Sequence, residues 1–335
     1  MPLPNTARDW HVDRPLTNLS IAYAQDTSNF IAGRVGTPIP VNFESDQYHE
    51  YPQGYWNRAF DTKRSEESVA NSISYKVRQK NYSIGDDALR IFISDRKRRN
   101  ADSQFNLDRE GTMLVSNALM IGQELDFRDK FLTTGKWTTD LTGVAATPGA
   151  NEFLKFSDAG ADPVGDWKKF RRDFVLRSGG RMPNELTMTL DVYDTLTEHP
   201  SIKDRIVTGT ADRPIMVTRQ NLAALFEVSR INVVQTIINT AVDGIEDANG
   251  LPPVNNEFLA SGVMLAAYNE AAGGLMSATA IGNFFIPGLT GARLGPRFRR
   301  YRGVEGKDGE YIEGQYRVDR RIVAPDLGQL WSDVL

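Results

Sequence analysis

The sequence predicts an α+β protein in which helices and strands follow one another in irregular order. Apolar residues recur at helical spacing over roughly 103–132, and they alternate with polar residues at 186–190, as they do on strands. The stretch from Arg297 to Val323 has the pattern of two or three strands around the turn Lys307-Asp308-Gly309. The sequence shows no internal repeat and no low-complexity tract that would suggest another fold class.

The composition limits the classes of protein to which the chain can belong. Its 335 residues are 40% hydrophobic and 24% charged, which is ordinary for a folded protein and sufficient for a sizeable core. The net charge of −4 argues against binding nucleic acid through the whole surface, although it leaves a local basic face open. The absence of cysteine excludes disulfide bonds, Cys-ligated zinc, iron–sulfur clusters and thiol nucleophiles.

The hydropathy of the chain gives an expectation about its location. The opening residues MPLPNTARDW contain no apolar core of a signal peptide. No stretch approaches the roughly 18 consecutive apolar residues of a membrane span. We therefore expect a protein made in the cytoplasm that has no membrane partner.

Residues 1–55 are predicted to form an extended arm. Closely spaced prolines at positions 2, 4, 15, 38 and 40 disfavour a continuous helix and favour extended chain. The segment is also rich in aromatic residues, in which disordered tails are poor. We therefore expect the arm to bury its rings on another surface, and its candidate intersubunit contacts are Trp10, Tyr23 and Phe30.

Residues 56–84 are predicted to form a long β-hairpin. The polar run Asp61–Asn71 is flanked by Tyr55–Phe60 and by an alternating apolar stretch at 73–77, which suggests two strands with a solvated tip. Isolated two-stranded ribbons are marginal in water, so we expect this hairpin to lie on another surface. Its candidate intersubunit contacts are Lys63, Arg64, Glu66 and Glu67.

A long helix is predicted over roughly 103–132, with Asp102 or Ser103 as its N-cap. At 1.5 Å per residue this helix would be about 40 Å long. One face, which we expect to be buried, carries an apolar stripe at helical spacing. The residues of the stripe are Leu107, Leu114, Ala118, Ile121 and Leu125.

Shorter elements are predicted in the second half of the chain. Asp166 is expected to cap a helix that runs to residue 178, with an apolar stripe at 167, 170 and 174 and an end at Gly179-Gly180. The next predicted elements are a strand at 186–190, a short helix from Asp191 that ends before Pro200, a helix from the Thr218 cap to Phe226, and a strand at 228–234.

The sequence contains no recognisable pattern of an enzyme site. The three histidines are far apart and have no HExxH or HxH spacing, and the GxGxxG, GxxxxGK[ST] and GxSxG patterns are missing. The nearest calcium-loop candidate, at 245–256, has Ile245 in place of the first acidic ligand and Asn256 in place of the bidentate Glu, so we interpret it as a turn. We predict no catalytic residue, no metal site and no cofactor.

The order of the predicted elements resembles the Hong Kong 97-like capsid fold of tailed bacteriophages. Residues 15–41 (PLTNLSIAYAQDTSNFIAGRVGTPIPV) look like the opening of many phage major capsid proteins, and YSIGDDALR at 82–90 looks like their passage into the long helix. The stretches 186–206 and 221–241 resemble segments of the domain that follows. The resemblance implies an N-arm at 1–55, an E-loop hairpin at 56–84, a P-domain with a long spine helix at 85–190 and 295–335, and an A-domain at 191–294.

This resemblance implies a major capsid protein, which is not an enzyme. Copies of the chain would form hexamers and pentamers and close into an icosahedral shell around double-stranded DNA. The implied location is the virion capsid, after assembly in the host bacterial cytoplasm. Deleting residues 1–50 is then expected to leave a soluble subunit that cannot assemble.

The resemblance also implies further partners. Because no long charged helical segment precedes the arm, it implies a separate scaffolding protein or a segment already removed. A portal, a decoration protein and non-specifically bound packaged DNA complete the implied set. Some family members also join an E-loop Lys to an Asn of another subunit, although a lone Lys63 in a polar run is more typical of a solvated charge.

The C-terminal arginines Arg297, Arg299, Arg300 and Arg302 allow two interpretations. They could contact phosphates of packaged DNA, or they could pair with carboxylates of a neighbouring subunit. We favour the second, because arginines on both faces of one strand suit contacts from two sides.

Three other functions are open at this stage. An encapsulin-type nanocompartment shares the fold and carries enzyme cargo, and another virion protein such as a tail component could share the extended arm. An enzyme with an unfamiliar site is the third, and the sequence offers no polar constellation for it.

Overall fold

The computed structural model describes residues 25–101, 106–206, 217–242, 244, 246, 250–274, 276–291, 294–303 and 307–335. Helices and strands alternate irregularly along them, which confirms the α+β class. The helices are α1 (Asp95–Asn100), α2 (Leu107–Phe131), α3 (Pro163–Arg177), α4 (Leu190–Glu198), α5 (Pro200–Ile206) and α6 (Arg219–Phe226). The strands are β1 (Thr37–Pro40), β2 (Ser45–Glu50), β3 (Arg78–Ser83), β4 (Asp87–Ser94), β5 (Asp140–Val144), β6 (Glu152–Leu154), β7 (Glu185–Thr189), β8 (Arg230–Val234), β9 (Ile237–Asn239), β10 (Asn256–Phe258), β11 (Met264–Ala267), β12 (Ile281–Phe285), β13 (Arg297–Arg302), β14 (Gly309–Tyr316), β15 (Val318–Ile322) and β16 (Gly328–Ser332).

A six-stranded mixed sheet in the order β6-β5-β16-β11-β7-β8 separates two hydrophobic cores. On β11, Met264 and Ala266 belong to the core that contains α3, α4 and α6, whereas Leu265 and Ala267 belong to the core that contains the end of α2. All five residues of β7 are buried, because both faces of this sheet are covered. The predicted alternation at 186–190 therefore does not separate a solvent-exposed face of the strand from a buried one.

This sheet crosses the predicted domain boundary at residue 190. Its strand β7 precedes that boundary, its neighbours β8 and β11 follow it, and β16 comes from the C-terminal end of the chain. A division at residue 190 would cut hydrogen-bonded strand pairs, so we do not use it to divide the fold.

The long helix α2 is present but buries a different face from the predicted one. Its buried apolar side chains include Val115, Leu119, Phe127 and Phe131, whereas Leu114 is 61% exposed. The helix has apolar residues on more than one side, so periodicity did not select the side that packs. The N-cap is Asn106, whose side chain accepts a hydrogen bond from the Arg109 amide; Asp102 and Ser103 lie outside the described residues.

A three-stranded sheet in the order β13-β14-β4 packs against α2. Gly314 on β14 allows this close approach, because a Cβ there would lie 2.7 Å from the Leu119 side chain and 2.9 Å from Val115. The strands β13 and β14 flank Lys307-Asp308-Gly309, and β15 follows directly, which confirms the prediction of two or three C-terminal strands.

The second half of the predicted arm is part of the body of the protein. Ile31 and Val35 are buried in the core beside α2, and β1 pairs in parallel with β12 in a sheet completed by β15. Residues 30–40 therefore pack within their own chain, and the arm bounds of 1–55 stay a prediction.

The predicted hairpin exists, but its strands lie nearer to the body. The strands β2 and β3 pair with each other, and the predicted strands at 55–60 and 73–77 are not formed. The ladder forms where Tyr48 and Tyr82 pack against Phe284, with ring centroids 5.4 Å and 4.7 Å away. Residues 51–77, which we call the hairpin loop, form no strand and have no such packing of aromatic rings against the body.

Several predicted ends of the shorter helices are confirmed, and the cap of α3 is corrected. Thr218 caps α6 through the Asn221 amide, and α4 ends before Pro200. The stripe of α3 is buried and Gly179 and Gly180 adopt positive φ after it. The cap of α3 is Asp162 rather than Asp166, because Pro163 occupies the first helical position.

Candidate intersubunit surfaces

The hairpin loop exposes a group of large apolar side chains. Tyr51, Trp56 and Tyr75 form a ring cluster with centroids 6.0–6.3 Å apart, yet Trp56 is 54% and Tyr75 60% exposed. The other exposed apolar residues of the loop are Tyr55, Phe60, Val69, Ile73 and Val77. Exposed clusters of large apolar side chains are typical of interaction sites, so the loop is the first candidate surface.

The tip of the hairpin loop carries the four predicted contact residues Lys63, Arg64, Glu66 and Glu67. All four are exposed, and no ion pair joins any of them to another described residue. The Lys63 amide donates to the Asp61 carboxylate at 3.0 Å, which shapes the turn and leaves the Lys63 ammonium in solvent. The charged groups of the tip are therefore free to meet charges on another molecule.

The predicted arginines of β13 lie on both faces of the strand, as expected, but three have acidic partners in their own chain. Arg299 binds Glu313 at 2.7 Å, Arg300 binds Asp108 at 2.8 Å and Arg302 lies 3.6 Å from Asp95. Arg297 donates to the Gly288 carbonyl at 2.7 Å. The partners Asp108 and Asp95 are distant in sequence, so no local signal identified them, whereas Glu313 lies directly opposite Arg299 on the adjacent strand.

The arginines of β13 nevertheless remain largely accessible to solvent. The side chains of Arg299, Arg300 and Arg302 are at least half exposed. Glu313, the partner of Arg299, is buried, and the hydrogen bond from the Tyr301 hydroxyl at 2.6 Å, with those from Arg299, holds the pKa of this carboxyl below its usual value. Intersubunit contact through the arginines remains a prediction.

The three predicted arm contacts have different outcomes. Trp10 and Tyr23 lie outside the described residues. Phe30 is only 5% exposed and is buried within its own chain. The structure therefore does not support Phe30 as a contact with another copy, because its ring has almost no free surface.

Sequence reasoning missed a groove between α2 and β4. It has a volume of about 510 Å³ and is lined by apolar and acidic residues. Leu89 of β4 lines it and is 46% exposed, and Ala118 of the predicted α2 stripe lines it from the helix. That stripe was the available signal, although the sequence pattern predicts that it is buried.

Two other kinds of site are absent from the described residues. The described residues contain no cluster of three or more His, Asp or Glu side chains that could hold a metal ion. None of the described helices has both the length and the apolar character that a membrane span requires.

Comparison with known proteins identifies the fold. No family model matches the chain. The major capsid protein of Burkholderia phage BcepMu is 25% identical over 242 residues, which covers 71% of this chain and 74% of that protein. This relative is a shell protein rather than an enzyme, as predicted for this chain.

Solved structures agree over almost the full length. A phage-related protein from Bordetella bronchiseptica RB50 aligns with a TM-score of 0.63 at 17% identity, covering 92% of this chain and 94% of that one. The capsid of cyanophage P-SCSP1u gives 0.58 at 11% identity (97% and 93%), and the SrpI encapsulin of Synechococcus elongatus PCC 7942 gives 0.51 at 12% (96% and 94%). The chain has the Hong Kong 97-like fold of phage major capsid proteins.

Proposed function

We propose that this chain is the major capsid protein of a tailed phage, and that many copies close into an icosahedral shell around double-stranded DNA. One observation carries the proposal: the likeness to a named major capsid protein and to capsid structures extends over most of the chain. The hairpin loop adds physical support, since its rings have no core of their own and would gain one from a neighbouring copy.

Within this proposal the sub-elements shift from their predicted bounds. The E-loop corresponds to residues 45–83, which includes β2 and β3, and the spine helix corresponds to α2. The P-domain centres on α2 with the β13-β14-β4 sheet. The A-domain takes the six-stranded sheet, although its strands come from both predicted domains.

The proposed partners follow from the shell. Copies of the chain would meet as hexamers and pentamers through the hairpin loop and the arginines of β13. A scaffolding protein, a portal, a decoration protein, packaged DNA and assembly in the bacterial cytoplasm are further parts of the proposal.

An encapsulin-type shell is the second candidate, because an encapsulin shares the fold over 96% of this chain. We favour the phage shell, since the curated relative is a phage capsid protein and the two phage-derived structures named above have higher TM-scores than the encapsulin. A tail component is the third candidate and would form tubes or rings instead of closed shells.

The test is negative-stain electron microscopy of the full-length chain, expressed alone and with the scaffolding protein encoded beside it. Closed shells of uniform size are expected. Tubes, rings or only dispersed subunits under both conditions would contradict the shell. A shell that contains a co-expressed enzyme from a neighbouring gene, with no portal or terminase gene beside it, would favour the encapsulin.

The arm is tested by a shorter truncation than the sequence suggested. Deleting residues 1–50 would remove β1 and the buried Val35, so loss of assembly could reflect unfolding. Deleting residues 1–24 removes none of the described residues. We expect a soluble, folded subunit that fails to assemble, and regular shells from this variant would show that the arm is dispensable.

A further inference from the structure

Glu124 lies in the middle of α2 and is 1% exposed. Its Oε1 accepts a hydrogen bond from the Ala32 amide at 2.6 Å, which joins α2 to residues 30–35, a stretch we call the docked segment. Its Oε2 has no hydrogen-bond partner within the described part of the chain. A buried carboxylate with one unsatisfied oxygen is costly when it is charged.

The carbonyl of the same Ala32 residue is held by a second buried ionisable group. Arg320 on β15 is 1% exposed, and its Nε donates to the Ala32 oxygen at 3.1 Å. Its Nη2 donates to the Tyr316 hydroxyl and, at 3.5 Å, to Gln123 Oε1. The amide and the carbonyl of Ala32 are thus both held by a buried polar network between α2, β14 and β15.

The charged groups that face Glu124 are Arg320 from β15 and Arg34 from the docked segment. Burial raises the pKa of Tyr316, the β14 side chain that accepts from Arg320, to about 12, so this hydroxyl stays neutral at physiological pH. Burial also raises the pKa of Glu124 to about 7, and it outweighs the Ala32 hydrogen bond and the attraction of the two arginines, which act in the opposite direction.

We propose that Glu124 is a proton-sensitive latch: its neutral carboxyl holds the docked segment against α2, and ionisation of this carboxyl loosens the segment. The latch acts within one subunit and does not depend on the proposed shell.

The direction follows from linkage between docking and protonation. Detachment would remove the Ala32 hydrogen bond and the attraction of Arg34, which lower the pKa, but it would also admit water to the carboxyl; because burial is the larger effect in the docked state, the pKa should then fall towards 4.5. Between pH 4.5 and about 7 the docked state therefore holds a proton that the detached state has lost. Docking should weaken about tenfold per pH unit in this window, by up to about 300-fold in total, and change little above it.

The experiment is hydrogen exchange with mass spectrometry on the full-length chain between pH 5 and pH 8, corrected for the intrinsic exchange rate at each pH. Protection of the peptide that spans residues 30–36 should fall as the pH rises. Protection of a peptide within α3 should stay constant and serve as the internal reference. A flat profile for residues 30–36 in the unmodified chain would overturn the proposal.

Two substitutions isolate the carboxyl. Glu124→Gln keeps the acceptor for the Ala32 amide but cannot ionise, so its protection should be high and independent of pH. Glu110→Gln, at an exposed position on the same helix, should keep the profile of the unmodified chain. If the protection of residues 30–36 still depends on pH in Glu124→Gln, another group causes the effect. If Glu124→Gln does not fold, Glu124→Met, which also cannot ionise, replaces it and its pH profile is compared with that of the unmodified chain.

Discussion

Trp331 and Trp56 show how differently the body and the hairpin loop use the same side chain. Trp331 on β16 is fully buried, with ring centroids of Phe153 at 4.8 Å and Phe170 at 5.3 Å. Trp56 is 54% exposed and has only the partly exposed rings of Tyr51 and Tyr75 beside it. The rings of the body are buried when the chain folds. The rings of the loop stay partly exposed after folding, so association with another molecule can still remove their apolar area from water.

This difference separates residues that stabilise the subunit from residues that join subunits. A ring in the core contributes the same free energy to a monomer and to an assembly. A ring on the loop contributes little until a partner covers it, and at the centre of an interface aromatic anchors contribute most.

The largest expected effect is on the two tryptophans. Trp331→Ala should lower the free energy of unfolding by about 3–5 kcal/mol, because it leaves a cavity between α3 and the six-stranded sheet. Trp56→Ala should change it by less than about 0.5 kcal/mol, since the site is exposed. Urea unfolding of the two variants measures both values.

The same pair has the opposite order in an assembly assay. At a temperature where both variants are folded, Trp56→Ala should reduce shell formation much more than Trp331→Ala, as followed by light scattering. Normal assembly of Trp56→Ala would show that Trp56 does not anchor the contact between copies. A loss of more than about 2 kcal/mol in the free energy of unfolding of Trp56→Ala would show that the loop belongs to the core.

The next effect tests the two sides of α2. Leu119→Ala should cost about 2–4 kcal/mol, because this side chain is 6% exposed and packs against Gly314. Leu114→Ala should cost less than about 0.5 kcal/mol, since Leu114 is 61% exposed. If the two variants lose the same free energy of unfolding in urea, the side of α2 that carries Leu114 must be buried against another part of the molecule.

The smallest effect compares charged groups of the body and of the loop. Glu313 has a lowered pKa, so its contribution is present above the usual value near 4.5 and is lost as the pH falls through the folded value. Glu313→Gln should therefore cost about 1–2 kcal/mol at pH 7 and much less at a pH below the folded pKa of this carboxyl. Glu66→Gln, at the exposed tip, should cost almost nothing at either pH.

These values are measured as urea midpoints at the two pH values. A cost for Glu313→Gln that stays constant with pH would attribute it to packing rather than to the hydrogen-bonded charge. A comparable cost for Glu66→Gln would show that the tip has a partner within its own subunit.

The sequence by itself determined the features that depend on neighbouring residues. The Thr218 cap, the helix end before Pro200 and the glycines after α3 follow from local backbone chemistry, and each is present. The α+β class and the resemblance to capsid proteins depend on the order of such elements, which is also local information. They therefore survive comparison with the structure and with known proteins.

Only the tertiary structure decided which surfaces are covered. The helix α2 packs on Leu119 rather than Leu114, β7 is covered on both faces, Phe30 is buried, and Arg300 finds Asp108 on another element. Each outcome depends on residues far away in the sequence, because burial and ion pairing are set by what lies opposite a side chain. Local periodicity shows that a side chain can pack, and the fold determines whether another part of the same chain lies there.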